Sequence, residues 1–179
     1  MSERPTAREA ILDAFVEVVV AQGERAATLQ AVAEQAGVSK GGLLYHFGSR
    51  EALVAGLAER LAALGAEDAE SLRGEADPVA RFIRGSIVRE TAIDRAFVAG
   101  FRLIQSEQHP SLRRALQSVD DGYRSVLADA IGDDLAPVVA LMSDGIYLRS
   151  GLDPAWAPSD EDVERIVAAV DEIVRRARD

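Results

Sequence analysis

Gln30-Ala-Val-Ala-Glu-Gln-Ala-Gly-Val-Ser-Lys-Gly-Gly-Leu-Leu-Tyr-His-Phe47 is the stretch from which the fold can be read. Its apolar residues fall into two short helical runs on either side of Gly37. Before the break, Leu29, Val32, Ala33 and Ala36 share one face of a helix that Thr28 is placed to cap. After it, Ser39 is placed to cap a helix that runs to about Phe47. Gly37 supplies the left-handed turn that re-aims the chain, and Ala33 is small enough for the second helix to cross close by. The spacing predicts a helix-turn-helix over residues 28–47.

Such a pair has an inside and an outside. Val32, Val38, Leu43 and Phe47 fill the shared core, which turns Lys40, Gly41, Tyr45 and His46 outward. The N-terminal end of an outward-facing second helix is the part that enters a major groove, where Lys40 can reach a guanine edge or a phosphate. Gly41 and Gly42 would let the backbone come close, at a helix-propensity cost of about 1 kcal/mol each relative to alanine.

Outward from this stretch the periodicity stays helical. Ile11, Ala14, Phe15, Val18 and Val19 form the stripe of a first helix that stops at Gly23. Leu53, Leu57, Leu61 and Leu64 mark a long fourth helix after Gly48 and Ser49. Asp77-Pro78 opens a helix with Val79, Phe82, Ile83, Ser86 and Ile87 along it. Asp94 starts a segment carrying Phe97, Val98, Phe101 and Ile104, and Pro110 opens one with Leu112, Leu116, Val119, Tyr123, Val126 and Leu127. Val138, Leu141, Met142 and Ile146 follow Asp133 and Asp134. Ser159 caps the last helix, with acids in its first turn and Arg175, Arg176 and Arg178 at its end, matching the helix dipole. No alternating pattern competes, so the expected class is all-α with about nine helices.

Composition narrows the function classes. The 179 residues contain no cysteine, which removes disulfides, thiolate nucleophiles and cysteine-ligated zinc. No cluster has metal-ligand spacing, and neither a histidine–carboxylate pairing nor a phosphate loop is legible, so neither a metal, a cofactor nor an enzyme is expected. No apolar run approaches the ~18 residues needed to span a bilayer, and no signal peptide is seen, so a cytoplasmic protein is expected. The net charge of −10 opposes DNA binding if averaged over the chain. The average hides a gradient, because residues 1–50 hold five bases against six acids and the acidity lies beyond them.

The run Val38-Ser39-Lys40-Gly41, followed by Tyr45-His46-Phe47-Gly48-Ser49-Arg50-Glu51-Ala52-Leu53, resembles the N-terminal domain of the tetracycline-repressor (TetR) family. The resemblance implies a DNA-binding domain over 1–50 and a helical ligand-binding and dimerisation domain over 51–179. It implies that Thr28 and Arg50 hold phosphates while Ser39, Lys40, Gly41, Gly42, Tyr45 and His46 face the groove. The sequence departs from the family at Leu44, where a phosphate-gripping tyrosine is common. Arg50 stands where lysine is more usual, which keeps the charge. The function so implied is a dimeric regulator, a repressor released from its DNA operator by a small-molecule effector.

For the body, Phe82, Phe97, Phe101, Ile104, Tyr123 and Met142 are large apolar residues that either line a cavity or pack a core. Arg102, Gln105 and Asp144 lie among them, and a buried charge there needs a partner or a ligand; an Arg102–Asp144 ion pair is the simplest account. Val163, Ile166, Val167, Val170 and Val174 of the last helix, with Val138, Leu141 and Ile146 of the one before, are the expected faces of a homodimeric four-helix bundle. A DNA-binding dimer without any ligand stays open as the alternative.

Overall fold

Capping side chains decide where the helices start. The computed structural model describes residues 6–87, 91–104, 109–152, 156 and 158–178. Among these residues are nine α-helices, one 3-10 turn and no strand. Helix α1 is Ala7–Gln22, followed by the turn Glu24–Ala26, α2 Leu29–Gln35, α3 Lys40–His46 and α4 Arg50–Arg73. Then come α5 Pro78–Arg84, α6 Ala92–Leu103, α7 Pro110–Ile131, α8 Ala136–Leu152 and α9 Asp160–Arg178. The all-α class with nine helices is as the sequence predicts.

Short oxygen-bearing side chains start most of them, each accepting a backbone N–H that would otherwise be unpaired. Thr6 and Glu9 form a reciprocal capping box on α1, Asp77 accepts from Ala80 N at 2.9 Å on α5, and Ser159 with Asp162 boxes α9. On α6 the cap is Thr91, with Asp94 three residues in as its box partner, so Asp94 lies inside the helix rather than at its start. Helix α5 ends at Arg84, which leaves Ser86 and Ile87 beyond it. Ser86 still turns inward, where its hydroxyl shares a hydrogen bond with that of Ser143.

The chain forms two compact units. The first comprises residues 1–64 and 90–118. Its buried residues include Ile11, Leu12, Phe15, Val18 and Val19 of α1, Val32 and Ala33 of α2, Leu43 of α3 and Leu53, Leu57 and Leu61 of α4. Helix α6 packs on α1, and its buried residues include Ala96, Ala99, Gly100 and Leu103. The expected stripe of α6 is therefore not its inner face: Phe101 is exposed and Phe97 and Val98 are half-buried.

The second unit comprises residues 65–89 and 119–179. Its core joins Val79, Ala80 and Ile83 of α5, Leu127 of α7, Ala136, Val139 and Ala140 of α8, and Val167, Val170 and Val174 of α9. A smaller cluster of Ala69, Leu72 and Val126 lies under Phe82 and Tyr123. Among the described residues no helix is long and apolar enough to cross a membrane.

Candidate nucleic-acid interface

Three local devices build the α2–α3 pair. The Thr28 hydroxyl accepts from Ala31 N at 3.1 Å and starts α2. Gly37 takes φ +66°, a left-handed conformation that favours glycine, and Val38 N then bonds back to Ala33 O at 3.0 Å. The Ser39 hydroxyl accepts from Gly42 N at 3.0 Å and starts α3. Leu43 and Phe47 are buried beneath, so α3 has one inner face.

Its outer face carries Lys40, Gly41, Leu44, Tyr45 and His46, all exposed, with Tyr45 86% accessible. The Tyr45 and His46 rings meet edge-on, centroids 5.2 Å apart. Lys40 makes no ion pair among the described residues, so its ammonium is available to a phosphate or a base. Gly42 is half-buried, and a Cβ there would stand 3.3 Å from the Ser39 hydroxyl. Its small size thus serves the cap, while Gly41 is the glycine that leaves the outer surface flat. Leu44, where the sequence departs from the family, is exposed on this face. It lies four positions after Lys40 and beside the inward Leu43, which is the signal that places it outward.

Arg50 is not the free phosphate hook that was expected. Its side chain is half-buried, with Nε donating to Ala27 O at 3.4 Å and Nη2 donating to both Glu24 O and Glu24 Oε1 at 3.2 Å. A guanidinium offers five donors in a fixed fork, and two carbonyls and a carboxylate on the preceding turn occupy part of it. His109 Nε2 stands 3.7 Å from the same Glu24 oxygen.

The residues expected to line a pocket fall into both units. Phe97, Phe101, Arg102 and Ile104 belong to the first. Arg102 donates to the carbonyls of Val19 and Val20, so it caps the C-terminal end of α1, which has no basic residue of its own in its last turn. In the second unit Phe82 and Tyr123 pack ring to ring at 5.4 Å, and Met142 packs against the main core. Asp144 lies at the surface, its carboxyl pushed above the ordinary range first by partial burial and then by the like charge of Asp120, with Arg124 opposing. Arg102 thus lies in the first unit and Asp144 in the second. Gln105 lies outside the described residues. No group of three or more acids and histidines among the described residues could hold a metal.

The expected dimer residues divide as well. Val138 and Leu141 are exposed, Leu141 to 69%, and Ile146 and Ile166 are half-buried. Val163, Val167, Val170 and Val174 are buried, the last three in the core of their own unit, so those valines form core rather than an open face. Leu148 and Ile173, on the same two helices, are exposed.

An exposed recognition-type helix on a packed three-helix head defines a helix-turn-helix DNA-binding regulator. Residues 11–57 match the family model of bacterial regulatory proteins of the tetR family. It is 29% identical over 165 residues to the HTH-type transcriptional regulator BetI of Rhizobium meliloti (strain 1021), covering 84% of this chain and 81% of that one. It is 47% identical over 60 residues to the regulator SrpR of Pseudomonas putida, which covers 33% of this chain and 28% of SrpR. The fold matches that of the multidrug binding protein EbrR complexed with malachite green, with TM-score 0.69 and 21% identity over 93% of this chain and 98% of that one.

Proposed function

We infer that the chain is a dimeric repressor that binds a two-fold operator and is released from it by a small molecule, acting by binding and not by turnover. The observation that carries the reading is the outer face of α3, where Lys40, Gly41, Leu44, Tyr45 and His46 stand exposed on a buried Leu43–Phe47 base. Lys40 supplies a cation for guanine or phosphate, Tyr45 a phosphate donor, and Leu44 an apolar surface of the kind that meets a thymine methyl. Two heads compensate for the weak positive charge of one, since joined half-sites pool their affinity. The open α8 residues Val138, Leu141 and Leu148 support a second chain. EbrR, of the same fold, was crystallised with an aromatic dye, which supports a small-molecule effector here.

Selection from random duplexes with the purified protein tests this directly. The expected product is an inverted repeat; enrichment of no sequence would sink the reading. Lys40→Ala and Tyr45→Ala should each weaken binding to the selected duplex about tenfold at fixed salt, with unchanged melting temperature, because both side chains are exposed. A library compound that raises the melting temperature and lowers duplex affinity together identifies the effector. A compound-independent protein would point instead to a regulator without a ligand.

A further inference from the structure

Glu24 sits in the 3-10 turn between α1 and α2, its side chain half-buried. Its Oε1 faces two nitrogen-bearing side chains at once: Arg50 Nη2 at 3.2 Å and His109 Nε2 at 3.7 Å. His109 immediately precedes α7, and its carbonyl accepts Arg113 N at 3.1 Å, so its backbone is held by the first turn of that helix. The imidazole is buried, only 6% exposed, and its Nε2 has no hydrogen-bond partner among the described residues. A buried polar atom without a partner is uncommon and marks a place where a second state is better satisfied.

We propose that His109 and Arg50 compete for Glu24, so that a proton on His109 releases Arg50 to DNA and tightens operator binding. The proposal rests on the DNA-binding reading above. While His109 is neutral, Glu24 neutralises Arg50 and holds it on its own turn. Once protonated, Nε2 becomes a charged donor and needs a shift of less than 1 Å to close on Oε1. Arg50 then keeps only the neutral carbonyls of Ala27 and Glu24, which a phosphate outcompetes. Arg50 begins α4, three residues after Phe47 closes α3, so the released charge lies next to the recognition helix. Glu24 from the turn and Glu51 from α4 are acidic groups facing His109, and Arg50 of α4 shares Glu24 with it. An imidazole changes charge between about pH 5 and 8, so the device works in that range.

The test has two arms. In the free protein, the Arg50 Nε–H resonance, assigned with Arg50→Lys, should move with the titration of the His109 ring and stay fixed in Glu24→Gln. With the selected duplex at constant ionic strength, unmutated protein should gain about three- to tenfold more affinity between about pH 8 and pH 6 than His109→Gln does. His46 is present in both proteins, so the difference belongs to His109. Glu24→Gln, at a partly exposed site, should bind more tightly at about pH 8 than the unmutated protein does at the same pH. Identical pH profiles for His109→Gln and the unmutated protein overturn the proposal. So does a Glu24→Gln protein no tighter at high pH, or an Arg50 resonance blind to His109. If no duplex is ever selected, the DNA-binding reading fails, and the resonance arm still decides whether the competition exists.

Discussion

Asp68 shows how one side chain can tie a unit together. It lies on α4, where Oδ1 accepts from Arg81 Nη2 at 2.8 Å and Oδ2 accepts from the Tyr123 hydroxyl at 2.8 Å. Burial raises its carboxyl pKa, but the bonds from Arg81 and then Tyr123 outweigh that and leave it below the ordinary range. A carboxylate lowered by folding stabilises fully above its unfolded value of about 4, and that contribution is lost as pH falls through the folded value. Asp68→Asn should therefore cost about 1–2 kcal/mol in denaturant unfolding near neutrality and much less near pH 3. An equal cost at both would show that the charge does not matter. Asp68 was not legible in the sequence, nor were the partners of Arg50 and Arg102. Long side chains reach acceptors 26 and 82 residues away, and no local pattern encodes that. Thr28, Ser39, Asp77 and Ser159 were legible because a cap bonds within three residues.

At the scale of elements, periodicity identifies a helix better than it identifies which face is inside. The stripes of α1 and α4 are both core, as read, because bulky aliphatic residues there have only one place to go. On α6 the largest apolar residues are not the most buried, Phe101 being exposed, and on α9 the valines expected at a dimer interface complete the core of their own unit. Close helix approach was equally hidden in the sequence, since Gly65 looks like any mid-helix glycine. A Cβ on Gly65 of α4 would stand 2.4 Å from Val119 Cγ2 of α7, a distance that requires something to move. The neighbour is a short branched side chain with little freedom to swing aside. Gly65→Ala should thus destabilise by about 1–3 kcal/mol despite its better helix propensity, and Val119→Ala in the same chain should restore part of that loss. Chemical denaturation of the three variants decides it, and a stabilising Gly65→Ala would mean that α4 and α7 are not so close.

For the whole molecule the question is what covers α8. That helix is apolar around nearly all its circumference, and one face packs into the core through Ala136, Val139 and Ala140. Val138, Leu141, Gly145 and Leu148, spaced 3, 4 and 3 residues apart, make a second stripe that the single chain leaves exposed. Gly145 has open space where a Cβ would lie, so another helix can come near the backbone there. A net charge of −10 per chain opposes association, so an apolar contact must outweigh the repulsion, and lower salt should weaken it. Leu141, the most exposed large apolar side chain of the stripe, is the place to break the contact. Leu141→Glu would put a carboxylate against its own copy across a two-fold axis, with no cation of the stripe to pair it. Sedimentation equilibrium should give twice the 19.2 kDa chain mass for the unmutated protein and the chain mass for the variant. Helix content should be unchanged, because Leu141 contributes nothing to the core of its own unit. The separated heads should then lose the affinity that two joined half-sites share, by about a hundredfold or more. A variant that still sediments as a dimer would move the interface away from α8, and a variant that is monomeric yet binds the selected duplex undiminished would separate dimerisation from DNA recognition altogether.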